Sequence, residues 1–290
     1  MQFIKSNDMY VLWFILYFTI VWCLFGANTD AFILTLLIYA ISISLALSPV
    51  GEWLLRIFED VRPLRTNEEI QYLQPLFDEV YKNALEENPK LSKEIKLYII
   101  DAMFVNAFAM GRKTIAVTKG AIETFNQEEL KGVLAHEFGH ISYGHTKALL
   151  LTVVGNFVLS FFVFLFRTFI KILDLISSIF ANTSPVMLIV NIINWLFSFL
   201  FEITFFLFIY LGQIILSLNS RNNEFQADSF AYMIGYGEEL TQSLYLLQKI
   251  SMTRKMTLKE KLTSSHPHIA QRIERLENMN QEINLDVLIN

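Results

Sequence analysis

Residues 126–145 read NQEELKGVLAHEFGHISYGH and contain the residue types and spacing for metal-assisted hydrolysis. On a helix, His136 and His140 stand one turn apart on the same side. Two imidazoles placed so can hold one Zn2+. Glu137 beside them can take a proton from a water that the ion activates. This is the H-E-x-x-H pattern, and the placement of the histidines reinforces it. All five fall into two short clusters, His136, His140 and His145, then His266 and His268. The longer form H-E-x-x-H-x-x-G-x-x-H is excluded, because Tyr143 and Thr146 occupy its later positions. A third protein ligand must come from another part of the chain.

The same stretch carries the signals that would position those groups. Asn126 and Glu129 form a capping box, and Phe125 and Leu130 flank it at hydrophobic-staple spacing. Leu130, Val133, Leu134, Phe138 and Ile141 recur at helical period and predict a buried face. Before it, residues 95–100 and 113–118 read as strands, with a third strand and a turn at Gly111 between them. A small mixed or antiparallel sheet therefore precedes the metal helix. Residues 66 to about 90 predict a further helix, with Thr66 and Glu69 as its capping box. Ile70, Leu73, Phe77, Val80 and Ala84 mark its inner face, and Pro75 is expected to kink or split it.

Composition sets the surroundings. The chain has 290 residues, 53% of them hydrophobic and 26 of them Phe. The mean hydropathy of +0.41 exceeds that of an ordinary soluble domain and points to a membrane protein. A net charge of −5 gives no support to nucleic-acid binding. The single cysteine, Cys23, excludes an intramolecular disulfide and any CxxC metal site, which suits a reducing compartment.

Four apolar runs follow from hydropathy: residues 9–25, 31–50, 148–166 and one within 186–218. The first two form a hairpin whose loop has no Lys or Arg. Lys5 precedes it, and Arg56, Arg62 and Arg65 follow it, so both ends are expected in the cytoplasm. The link between the last two runs holds Arg167 and Lys171, which that rule disfavours outside. That hairpin is therefore either a full pair of spans or partly interfacial. Asn156, Asn191, Asn194 and Glu202 within these runs read first as helix–helix hydrogen-bonding groups.

Residues 219–232, NSRNNEFQADSFAY, offer the best third ligand, Glu224, with Asp228 one helical turn later. A carboxylate at Asp228 can accept from a ligating imidazole and fix its tautomer. Taken alone, the pair reads better as a carboxylate pair on a solvated helix face. Height favours the ligand reading. His140 lies eight residues before the third run, and Glu224 eight after Leu216. If the helices run on, both stand roughly 12 Å above the same membrane face. The last cluster, SSHPHIAQRIERL at 264–276, places His266 before a helix that carries Arg272. Near a zinc site both could stabilise an anionic intermediate, but by themselves they read first as surface residues.

HEFGH, a hydrophobic hairpin, SRNNEFQAD and SSHPHIAQRI together resemble the HtpX-type integral-membrane zinc metalloproteases, relatives of the CAAX prenyl endopeptidases. The resemblance runs from about residue 1 to 277 and includes NAFAMGRKTIAVTKG at 106–120. It implies an α+β membrane protein, mainly helical, with about four transmembrane helices and a zincin-like cytoplasmic domain carrying the small sheet. The expected organisation is a transmembrane hairpin (1–50), the first part of the protease domain (51–147), a second hairpin (148–218) and the remainder of the domain (219–290). The resemblance maps one Zn2+ onto His136, His140 and Glu224, the general base onto Glu137 and an outer carboxylate onto Asp228. His266 and Arg272 match the family's His–Arg spacing of six, and His145 is no ligand in it. The strand of Asn106, Ala107, Phe108 and Ala109 would hold extended substrate by strand addition. The implied work is cleavage of misfolded or membrane-associated polypeptides at the cytoplasmic face of a bacterial inner membrane. The alternatives are prenyl-protein processing and a membrane scaffold with a structural metal.

Overall fold

The computed structural model describes residues 6–146, 157–180, 185–251 and 269–289. Helices α1 (Ser6–Leu24) and α2 (Thr29–Leu47) form the N-terminal apolar hairpin. Gly26 and Ala27 turn the chain with positive φ, and Asn28 caps α2 through the Ala31 N–H. Phe32 packs edge-on against Phe18 and Trp22. Among the described residues α2 is the one helix long and apolar enough to cross a bilayer, with a mean hydropathy of 2.1. Phe14–Cys23 and Pro185–Leu200 are shorter apolar stretches. Residues 148–156 of the third apolar run lie outside the described residues, so the expected four spans reduce here to one clear one.

Helix α3 (Pro49–Phe58) follows directly, and its Ser48 cap and Pro49 at the first turn start it cleanly. Then come β1 (Val61–Pro63), α4 (Asn67–Glu87), β2 (Lys96–Ile100), β3 (Ala107–Met110), β4 (Thr114–Thr118), α5 (Lys119–Thr124) and α6 (Gln127–Ser142). After them are α7 (Phe157–Phe180), α8 (Pro185–Met233), α9 (Gly237–Ser251) and α10 (Ile269–Ile289). The sheet is mixed, in the order β1-β2-β4-β3, with β2 and β4 parallel and both edges antiparallel. Strand β1 and helix α3 are not expected from sequence. The first is only three residues long, and the second begins at the very end of the second apolar run, with no loop between to mark it.

Both capping boxes form, at Thr66–Glu69 and at Asn126–Glu129. Helix α4 passes through Pro75 unbroken and buries Leu73, Leu76, Phe77, Val80 and Ala84. Ile70, expected inward, is 43% exposed, because it falls in the first turn, beyond the edge of the core. All five expected apolar positions of α6 are buried. Phe138 meets Phe77 and Tyr81 at centroid distances of 5.4 and 5.2 Å. Truncating such a buried side chain to Ala typically costs about 3–5 kcal/mol.

The second hairpin departs from its expected form. Arg167 and Lys171 lie inside α7 rather than in a link. The apolar pattern continues on both sides of them, and Glu202 of α8 takes Arg167 as a forked pair at 2.8 and 2.7 Å. A paired charge needs no loop. Asn191 donates to Ser177 at 3.1 Å and Asn194 to Asp174 at 3.4 Å, so a polar seam joins the two helices.

Arg62 of β1 closes the sheet against α4. Its guanidinium grips Glu69 at 2.6 and 3.1 Å and Asp101 at 2.6 and 2.8 Å. Arg62, with backbone N–H groups of Arg65 and Thr66, lowers the Glu69 carboxyl from its ordinary 4.5 to about 2. A depressed carboxylate stabilises the fold above its unfolded pKa and loses that contribution as pH falls toward the folded value. Glu69→Gln should therefore lower stability at neutral pH by about 1 kcal/mol, the upper end for an exposed pair. In melts of the detergent-solubilised protein, the gap to the parent chain should close as pH falls from 4.5 toward about 2. A gap independent of pH would show that Glu69 acts through packing alone.

Candidate active site

Helix α6 sits at the centre of the domain, between α4, α8, α9 and the sheet. Two glycines allow it to approach its neighbours closely. A Cβ at Gly132 would lie 2.3 Å from the Leu240 nitrogen of α9, and one at Gly139 would lie 2.8 Å from Ala227 Cα of α8. The second approach sets the site. With Gly139 seated on Ala227, the flanking turn of α8 brings Glu224 and Asp228 onto the histidine face of α6.

His136, His140 and Glu224 each turn one donor atom to a common point, and all three residues are largely buried. His136 Nε2 and His140 Nε2 are 3.2 Å apart. Each stands 3.5 Å from an oxygen of Glu224. A tetrahedral ion with ligand distances of about 2.0–2.1 Å spaces its donors about 3.3 Å apart. The three side chains therefore fit one Zn2+ with a fourth position left for substrate or water.

The outer partners fix which nitrogen faces that point. His136 Nδ1 donates to Asp228 Oδ1 at 2.9 Å, which directs the Nε2 lone pair inward. His140 Nδ1 donates to His145 Nδ1 at 3.1 Å, and His145 Nε2 donates to Gln226 Oε1 at 2.9 Å. This chain keeps His140 Nε2 bare. Burial and the neighbouring His140 press His145 down to about 4, so it stays neutral and able to accept. Gln226 carries no signal in the sequence. His145 carries one, its membership of the first histidine cluster, but it matches no ligand position.

Arg272 of α10 is buried against both carboxylates. It forks onto Asp228 at 2.9 and 2.6 Å and lies 3.1 Å from Glu224. Burial raises the Asp228 carboxyl, but Arg272 and His136 outweigh it and hold the group at about 2. Burial and Arg272 push His136 down, yet its hydrogen bonds to Asp228 and Glu224 prevail and raise it to about 9, so an ion bound at Nε2 would displace the proton from that nitrogen. Glu137 is 6% exposed. Burial raises its carboxyl above the ordinary range, while His140, His136 and the Ala109 N–H oppose that shift.

Strand β3 is an edge, paired only with β4 among the described residues. The Thr118 N–H donates to the Asn106 carbonyl, so in antiparallel alternation Asn106 and Phe108 bond toward β4. Ala107 and Ala109 turn their backbone groups to the open edge, where the Ala109 N–H meets Glu137. Of the four expected strand residues, Ala107, Phe108 and Ala109 lie in β3 and Asn106 immediately precedes it, and Ala109 is the one that meets Glu137. His266 lies outside the described residues. The assumption that α6 runs on toward the third apolar run fails, because Tyr143 caps it and Gly144 leaves at φ 76°. The donors meet through the approach at Gly139 instead.

Asp228→Asn keeps the shape but weakens the acceptor for His136 Nδ1 and leaves Arg272 short of one charge partner. Metal affinity or activity should fall by about 10–100-fold. Metal titration and peptide cleavage measure it, and unchanged values would reduce Asp228 to a packing residue.

A family model described as Peptidase family M48 matches residues 68–280. Two proteins named "Protease HtpX homolog" are each 30% identical to the chain. The one from Bacillus subtilis aligns over 79% of this chain and 78% of its own length, and the one from Bacillus pumilus over 81% and 79%. The crystal structure of S. mikatae Ste24p shares the fold with a TM-score of 0.51 at 22% identity. It covers 90% of this chain, which spans 61% of that protein's length.

Proposed function

Because this chain belongs to peptidase family M48 and is a metalloprotease, we propose that it uses one Zn2+ to cut polypeptides at the cytoplasmic face of a bacterial inner membrane. The observation that carries the zinc chemistry is the convergence of His136, His140 and Glu224 at tetrahedral spacing, with Glu137 beside them. When bound there, Zn2+ would polarise the scissile carbonyl and lower the pKa of water toward about 7.

The chain's own residues do the rest. His136, His140 and Glu224 hold the ion, and Asp228 and His145 keep the two imidazoles in the tautomer that presents Nε2. Glu137 takes the proton of the attacking water and passes it to the leaving amine. Burial raises its carboxyl above the ordinary carboxylate range, which makes it a stronger base than an exposed glutamate. The outward backbone groups of Ala107, with Asn106, Phe108 and Ala109 shaping the edge, align substrate as an added strand. Arg272 orients Glu224 and Asp228 and keeps positive charge near the carbonyl oxygen as it becomes anionic. His266 is assigned to the same oxyanion on resemblance alone.

Membrane-embedded or misfolded proteins are the proposed substrates, because α2 anchors the domain and α8 continues from apolar residues straight into the ligand Glu224. Arg56, Arg62 and Arg65 after α2 support a cytoplasmic site. The test is a membrane protein with one flexible loop on each face, reconstituted with this enzyme, with and without chelator. Chelator-sensitive cleavage should fall in the cytoplasmic loop. Cutting confined to the other loop would overturn the orientation, and cutting unaffected by chelator would overturn the metal mechanism.

A further inference from the structure

Helix α3 has two faces of different character. Glu52 and Leu55 are buried against the sheet end of the domain, and Gly51 against the last turn of α2. Val50, Trp53, Ile57 and Phe58 are 49%, 52%, 53% and 69% exposed. Val50, Trp53 and Ile57, spaced by three and four, share one stripe of the helix away from the buried face, and Phe58 borders it at the helix end. The stripe begins where α2 ends, with only Ser48 between the two helices. A Trp on such a stripe suits the level of the headgroups, where its ring is half in hydrocarbon and half in water.

A second feature adjoins it. Arg56, on the flank of α3, lines a cavity of about 560 Å³ together with Lys93, Lys96 and Lys113. The one carboxylate along that wall is Glu94, which pairs with Lys113. Arg56 is held in place by Tyr98, whose ring it overlies at 5.2 Å, by Thr114 at 3.0 Å and by the Glu52 carboxylate at 3.8 Å, which leaves Lys93 and Lys96 as the excess positive charge of the wall. The cavity therefore carries net positive charge at the helix that leads out of the span.

We propose that α3 is an interfacial helix that lays Val50, Trp53, Ile57 and Phe58 into the bilayer surface and brings the Arg56–Lys93–Lys96–Lys113 cavity onto the headgroup of an anionic phospholipid. The bilayer is the occupant because the stripe is continuous with the span and the adjoining cavity has the opposite charge to the lipid. The proposal rests on reading α2 as membrane-spanning. It gives the docked helix a route to the site. Glu52, on the inner face, accepts from the Arg112 and Lys113 N–H groups at 3.1 Å each and from Thr114 Oγ1 at 2.6 Å. It thereby holds the turn between β3 and β4, and the lipid surface fixes the height of the strand that borders the catalytic groups.

The test needs no substrate, so its outcome is separate from that of the cleavage assay. In a Cys23→Ser background, Val50→Cys, Ile57→Cys and, as a control on exposed α4, Glu68→Cys are spin-labelled in the full-length chain. The protein is reconstituted in phosphatidylcholine vesicles with phosphatidylglycerol. At positions 50 and 57 the ratio of oxygen to aqueous nickel accessibility should exceed that at 68 several-fold. Nickel access equal to that at 68 would overturn the proposal. So would labels that neither reagent reaches, which would assign the stripe to protein, from a second copy or from this chain. Native mass spectrometry supplies the second arm. Retained phosphatidylglycerol should exceed phosphatidylcholine several-fold and persist in inorganic phosphate, and Lys93→Gln with Lys96→Gln should remove the preference. Displacement by free phosphate, or no preference in the parent chain, would overturn the headgroup assignment.

Discussion

Glu137→Gln should leave the metal in place and lower kcat/KM by about 10²–10⁴-fold, the range that positioned acid–base groups supply. The amide keeps the volume of the side chain and can still accept from the Ala109 N–H that meets Glu137 at the edge of β3. It cannot take a proton from water. His136, His140 and Glu224 are untouched, so elemental analysis should find the same metal content as in the parent enzyme. Because the loss arises in the chemical step, kcat should fall while KM changes little, which peptide cleavage under saturating conditions resolves. Near-normal turnover would remove Glu137 from the mechanism. Loss of metal together with activity would instead make it part of the ion's binding set.

Glu224→Ala should abolish both metal binding and activity. It deletes one of the three converging donors, and the loss should exceed the roughly 100-fold that an outer partner costs at most. A second effect acts on the fold. Arg272 lies 3.1 Å from Glu224 and is itself buried, so the change removes one of its two anionic partners. Breaking a buried pair from one side costs about 3–5 kcal/mol. Glu224→Gln preserves volume and isolates the chemistry, since a neutral amide oxygen is a poorer ligand but still fills the space against Arg272. Both variants should therefore lack metal, with Glu224→Gln the better folded of the two by thermal melt. Unchanged metal content in the folded Glu224→Gln variant would mean that the third donor is another residue.

His136, Glu137 and His140 are legible in the sequence because helical period and H-E-x-x-H are local properties. The capping box at Asn126–Glu129 and the apolar face from Leu130 to Ile141 are local too, and the structure forms both. The edge strand before the turn at Gly111 can be read the same way, from strand period and a glycine with positive φ. Legibility ends wherever position depends on a distant partner. Ile70 has the right period for the core and still faces out, because only the packing of neighbours decides where a core ends. Arg167 has the look of a loop charge, yet Glu202, 35 residues away, neutralises it within the helix pair. Strand β1 has too few residues to signal itself, and it is fixed by pairing with β2 and by the Arg62 clamp.

The sequence by itself determined a membrane-associated chain, the helix that carries two imidazoles and a carboxylate, and the polar helix that offers a third donor. Each follows from hydropathy or from residues within a few turns of one another, where spacing dictates geometry. Tertiary structure alone decided that Glu224 meets His136 and His140, and it did so through a close contact of backbones. The bare Cα of Gly139 lets α6 settle on Ala227, and the long intervening chain does not enter. It also decided the hydrogen-bond chain through His145 to Gln226, the place of Arg272 on both carboxylates, and the grip of Glu52 on the β3–β4 turn. A hydrogen bond between residues far apart in sequence leaves no periodicity behind, so these partners become visible only when the fold has brought them together.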